Sequence, residues 1–147
     1  YALVAYQTAW LKAHFPAEFM SAVMTSEMKN TDNVVFLIDD CRNNKLDVMP
    51  PSINMSLYRF HASDDKTIVY GLGAIKGVGE QAMQSVIESR QQDGPFKDLF
   101  DFCHRIDLKK INKRTLEALL RAGALDCLGV ERSTLMAQLP EAVQAAD

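Results

Sequence analysis

The feature that most constrains this chain is Ala74-Ile75-Lys76-Gly77-Val78-Gly79, followed by Ala82, Met83, Val86 and Ile87 at helical spacing. Two glycines around one aliphatic residue allow a tight turn, and neither carries a Cβ to block a close neighbour. Val78 is then expected to tuck into a small core while a helix starts at Glu80. The N–H groups of Gly77, Val78, Gly79, Glu80 and Gln81 point outward at a helix N-terminus. Unpaired donors at the positive end of a helix dipole form a site for anions, and Lys76 stands beside it to add a charge-assisted contact. Such a site holds a sugar-phosphate backbone and touches no base edge, so recognition would be independent of sequence. Glu80 is the one discordant group at the site, although an acidic residue also suits a helix N-terminus.

The pattern extends past the turn, with Ala, Ile and Arg at the third, eighth and eleventh positions after Gly79 (Ala82, Ile87, Arg90). This matches a helix-hairpin-helix motif. A nucleotide-binding loop fits less well: Gly71-Leu72-Gly73 follows a strand-like stretch, but no GxGxxG follows and Lys76 is not part of a GK[ST] pair. A tight turn between packed helices with no ligand is the plain structural alternative.

Charge limits the partners. The net charge of −3 excludes a globally basic nucleic-acid binder. Residues 76–130 alone hold a positive excess, nine basic against eight acidic groups. Within them Arg105, Lys109, Lys110, Lys113, Arg114 and Arg121 face only Asp107 and Glu117. Such a run is ordinarily a solvated face; beside the hairpin, Lys109, Lys110, Lys113 and Arg114 become a supporting basic patch. The hydrophobic share of 48% and charged share of 24% are those of a globular chain. No apolar run approaches the ~18 residues of a membrane helix. Three cysteines without CxxC spacing argue against a disulfide framework or a zinc site. Cys103 and His104 are adjacent and diverge on a helix, a poor ligand pair, and His14 and His61 read as structural. No metal site is expected, and a reducing cytoplasm is the simplest setting.

Three parts are expected. Residues 1–45 read as helices. The first carries Leu3, Gln7, Trp10, Leu11 and His14 on one stripe and should be well buried. The second begins at Pro16 and packs Phe19, Met20, Val23, Met24 and Met28. The third is capped near Asn30 and faces inward through Val34, Leu37, Ile38 and Cys41. Residues 46–70 read as a small β element: a short strand at Asp47-Val48-Met49, then an antiparallel hairpin from Tyr58–His61 and Lys66–Tyr70 around a turn at Asp64-Asp65. Residues 71–147 hold the hairpin, a short helix within Phe96–Ile106, a helix capped by Asn112, and a last helix that Pro140 breaks or restarts. The fold class is mainly α with a small antiparallel β hairpin. The chain starts at Tyr1 already in helix and is read as a piece of a longer protein, with no signal-peptide pattern.

Four blocks carry a wider resemblance: Tyr1–Met20, Leu46–Asn54, Tyr70–Gly79 and Leu120–Asp126. In order and spacing they resemble the alpha-subunit family of bacterial DNA polymerase III, the C-family replicases. The resemblance covers essentially the whole chain, from the late fingers through the helix-hairpin-helix region. It implies a DNA-directed DNA polymerase as parent, with duplex DNA, the remaining domains of that parent and other subunits of the replicase holoenzyme as partners. The family's catalytic aspartates bind two Mg²⁺ in the palm. No Asp-Xaa-Asp occurs here, so no catalytic residue and no cofactor is expected in this chain, and the clamp-binding peptide is expected outside it. A second, degenerate hairpin that lacks the first glycine is expected around Cys127-Leu128-Gly129. Two other readings stay open: a helix-hairpin-helix DNA repair glycosylase, with Asp98 or Asp101 near the distance of a catalytic aspartate, and a purely structural helical scaffold.

Overall fold

The computed structural model describes residues 1–146. Three helices open the chain: α1 (Ala2–His14), α2 (Pro16–Ser26) and α3 (Thr31–Asn43). Pro16 sits in the first turn of α2, where its missing N–H costs nothing. Asn30 caps α3 by accepting the Asn33 N–H at 3.2 Å. Three short strands follow, β1 (Asp47–Met49), β2 (His61–Ala62) and β3 (Thr67–Val69). A one-turn 3-10 helix (Leu72–Ala74) then leads into the hairpin and α4 (Glu80–Asp93). Next come α5 (Leu99–Arg105), α6 (Lys113–Arg121), a second 3-10 turn (Asp126–Leu128) and α7 (Arg132–Ala146).

Two apolar clusters organise these elements. In the first, Ala17, Met20 and Met24 of α2 and Val34 and Cys41 of α3 pack on Phe60 and Ile68 of the sheet region. In the second, Val78, Met83, Phe102, Leu116, Leu125 and Leu135 join the hairpin to α4–α7. Burying side chains of this size stabilises by roughly 1.5–3 kcal/mol each before entropy is counted. Tyr70 packs against both clusters. The segment 50–57 joins the second: Ile53 is buried there, and its N–H donates to the Ala124 carbonyl at 3.0 Å. Cys41 and Cys103 are buried, and burial pushes each thiol up to about 11; Cys127 is exposed.

One expectation is extended and two are corrected. The sheet is mixed, in the order β1-β3-β2: β2 pairs antiparallel with β3, as the hairpin required, but β1 pairs parallel with β3. Pro50-Pro51 leads the chain away from β1, and the long crossover to β3 permits the parallel pairing. The first helix is not buried: every residue of α1 is exposed, with Trp10 and Leu11 each at 43%. Helical period sets the stripe but supplies no surface to cover it, and among the described residues none buries it. Nor does Pro140 break the last helix, since α7 runs through it. Leu135, Leu139 and Ala142 are buried on one face, and that packing holds both halves in one helix despite the missing N–H.

Candidate nucleic-acid interface

The hairpin takes its shape from burial on one side only. Ile75 and Val78 are buried in the second cluster, whereas Lys76, Gly77, Gly79, Glu80 and Gln81 are exposed. Gly77 has a φ of +90°, a conformation that disfavours any side chain. Gly79 has a φ of −90° and a ψ of 154°, ordinary extended backbone at the N-cap of α4. A Cβ built at Gly79 meets nothing within 4 Å. Neither conformation nor internal packing therefore demands a glycine there. What its bareness does is leave the helix start uncovered. Gly71 and Gly73 differ: a Cβ on either would collide with the Tyr58–Phe60 backbone or the Tyr58 ring, so they are needed for packing.

Gly79 supplies no side-chain cap to α4. Among the described residues, the N–H groups of Gly77, Gly79, Glu80, Gln81 and Ala82 have no internal acceptor. Val78 is a correction. Its N–H donates to the Ile75 carbonyl at 3.3 Å and braces the turn rather than facing outward. Val78 contributes its buried side chain, not a donor. Glu80 lies 3.9 Å from the Arg59 guanidinium, an exposed pair that offsets part of the discordant charge.

The basic patch divides. Lys76, Gly77, Asn112, Arg114, Thr115 and Ala118 line one open cleft of about 490 Å³ between the hairpin and the start of α6. Among the described residues, neither Lys76 nor Arg114 has a carboxylate within ion-pair distance. Lys113 is 4.0 Å from Glu117 on the same helix. Lys109 and Lys110 are exposed in the turn before α6 and do not line the cleft. Arg105, counted in the basic run, is spent internally: it donates to the carbonyls of Ser89 (2.8 Å) and Gly94 (2.7 Å) and to Asp101.

The degenerate turn near Cys127 repeats the order of the first, with a 3-10 turn, a glycine of positive φ (Gly129, +79°), a valine and then a helix, which corrects its register: Gly129 stands where Gly77 does, and the second glycine is the missing one. Its surface chemistry differs. Val130 is 37% exposed where Val78 is 4%, Glu131 stands where Gly79 does, and Arg132 is locked to Asp126 at 2.8 Å. A carboxylate-bearing residue at the helix entry is a poor neighbour for phosphate.

Asp98 and Asp101, the residues a glycosylase reading needs, serve α5. Asp98 caps it by accepting the Asp101 N–H at 2.7 Å, and Asp101 accepts the Lys97 N–H at 3.0 Å and Arg105 at 3.2 Å. The Lys97 N–H first, then Arg105, holds the Asp101 carboxyl below the usual carboxylate range. A carboxyl depressed on folding contributes stability that is complete above its unfolded pKa and is lost as pH falls through its folded value. The urea midpoint is therefore expected to fall as the pH drops below ~4. Asp101→Asn should lower the midpoint at neutral pH and flatten that acid dependence; an unchanged slope would remove Asp101 from the account.

Residues 45–135 match the family model described as the helix-hairpin-helix motif, and the chain belongs to that family. It is 60% identical to DNA polymerase III subunit alpha of Vibrio cholerae over 99% of this chain. It is 56% identical to the subunits of the same name from Pseudomonas aeruginosa and Escherichia coli K12, each over the whole chain. The matches cover 13%, 14% and 13% of those relatives, so this chain spans only about an eighth of their length. The resemblance read from the four blocks is borne out.

Sequence reading found the hairpin and Arg114, but not the contact that sets them side by side. Asn112 was readable as a cap. That Thr115, in the same turn, also reaches Gly77 at 3.4 Å had no local signal, because 38 residues separate the two.

Proposed function

We propose that this chain is the part of a DNA polymerase III alpha subunit that holds duplex DNA by its sugar-phosphate rail, without regard to base sequence. The observation that carries the reading is Gly79: a glycine at a helix entry where a side chain would meet only solvent, beside amides with no internal acceptor. A phosphate is the group those donors suit, with Lys76 and Arg114 supplying charge on either side of the cleft. The parent reaction is nucleotidyl transfer, its Mg²⁺ held by aspartates outside this chain, and this segment contributes grip rather than chemistry. Its partners are duplex DNA, the rest of the parent subunit and the other holoenzyme subunits, in the cytoplasm. No helix among the described residues is long and apolar enough to cross a membrane.

Fluorescence anisotropy with two duplexes of unrelated sequence tests this. Both should bind equally and weakly, on the order of micromolar or weaker, with affinity falling as salt rises. Lys76→Ala should reduce the slope of log affinity against log salt by about 1, as expected when one fewer phosphate is neutralised. A strong preference for one duplex, or no binding to either, would refute the reading; the second outcome is what a purely structural scaffold gives.

A further inference from the structure

We infer that Thr115 is the positioning residue of the hairpin: its hydroxyl sets the Gly77–Val78 peptide so that the free amides of the turn and Arg114 face one phosphate. The inference rests on the DNA-backbone reading above and names a residue that acts within it. A peptide unit is planar, and its C=O and N–H point in opposite directions. In the Gly77–Val78 unit both ends have a partner, each at the long end of hydrogen-bond distance. The Thr115 hydroxyl donates toward the Gly77 carbonyl at 3.4 Å, and the Val78 N–H donates to the Ile75 carbonyl at 3.3 Å. Fixing that plane fixes where the backbone goes next, and the next N–H groups, those of Gly79, Glu80 and Gln81, are the unpaired ones.

Thr115 is itself held. It is 7% exposed, its N–H donates to the Asn112 side-chain oxygen at 2.9 Å, and its hydroxyl lies 3.1 Å from that same oxygen. The single hydroxyl proton is shared between Asn112 and Gly77, so the α6 cap and the hairpin turn are joined through one atom. Among the described residues no other side chain hydrogen-bonds to the backbone of residues 75–79. Arg114 is the adjacent residue in the chain and lines the same cleft as Lys76. A shift of the hairpin relative to α6 would separate the two cations and weaken a phosphate's simultaneous contact with both, since such contacts depend steeply on distance.

The test uses the 147-residue chain and a duplex probe in anisotropy titrations across salt. The variants are Thr115→Val, Thr115→Ser, Arg114→Gln, Gly79→Asp, and the double variant that combines Thr115→Val with Arg114→Gln. Thr115→Val keeps the shape and removes the hydroxyl. It should weaken binding about five- to tenfold and reduce the salt slope by about 1, with Thr115→Ser restoring both. Arg114→Gln should cost a similar factor in the native background and much less on top of Thr115→Val. Additive losses, or a serine variant as weak as the valine one, would overturn the proposal. If Thr115→Val does not fold, native affinity and slope in the folded Thr115→Ser chain support the hydroxyl's role, and loss there refutes it. Gly79→Asp separates the two levels. If it leaves binding intact, the hairpin reading itself fails; if it weakens binding while Thr115→Val does not, only the role of Thr115 fails.

Discussion

Gly79→Asp is expected to make the chain more stable and its grip on DNA at least about tenfold weaker, a loss of roughly 1.4 kcal/mol or more. The opposite signs come from one carboxylate. Gly79 is the N-cap of α4 in extended backbone, so an aspartate enters without strain, and nothing lies within 4 Å of its Cβ. Its oxygens can accept the N–H groups of Gln81 and Ala82, and its charge suits the helix start. Together these should add from a few tenths to about 1 kcal/mol. The donors so satisfied are the ones a phosphate needs, and the added charge repels it. Gly77 is a poorer position for the experiment, because its φ of +90° strains any substituent and mixes a folding defect with a binding one. Thermal unfolding and anisotropy on the same sample decide the matter. A stabilised variant that binds like the native chain would show that the hairpin is not the contact.

Arg90→Met should cost about 3 kcal/mol of stability without touching the hairpin. Arg90 reaches from α4 to the segment 50–57, and its guanidinium donates to the carbonyls of Ile53 at 2.9 Å and Ser56 at 2.8 Å. Burial lowers its pKa from the usual arginine value, so the charge sits there at some desolvation cost offset by those two acceptors. Methionine keeps the apolar stem and leaves both carbonyls without a donor. Each bond from a charged donor contributes ~1.5–3 kcal/mol, and the pair shares one group, so the sum is taken near the lower end. Urea unfolding should show a lower midpoint at an unchanged m-value. A loss below ~1 kcal/mol would mean that water replaces the guanidinium and that Arg90 does not hold segment 50–57 to α4.

Arg90 also marks where sequence reading stopped. As the eleventh residue after Gly79 it belonged to a recognisable pattern, but the pattern did not say what the side chain holds. The carbonyls it binds lie far upstream, 37 and 34 residues away. Arg105 makes the same point with the opposite consequence: counted as part of a basic face, it is consumed by Ser89, Gly94 and Asp101. Charge along a sequence does not distinguish a solvated cation from one enclosed by carbonyls.

The sequence alone determined the features whose causes lie within a few residues. The turn at Gly77, the inward face of α4 at Ala82, Met83, Val86 and Ile87, the Asn30 and Asn112 caps and the start of α2 at Pro16 all follow from backbone sterics, capping and helical period. The tertiary structure alone decided the parallel pairing of β1, the continuity of α7 through Pro140, the exposure of α1 and the bond from Thr115 to Gly77. Each of those depends on which distant surfaces meet, and a side chain's local preferences carry no record of the partner that folding brings to it.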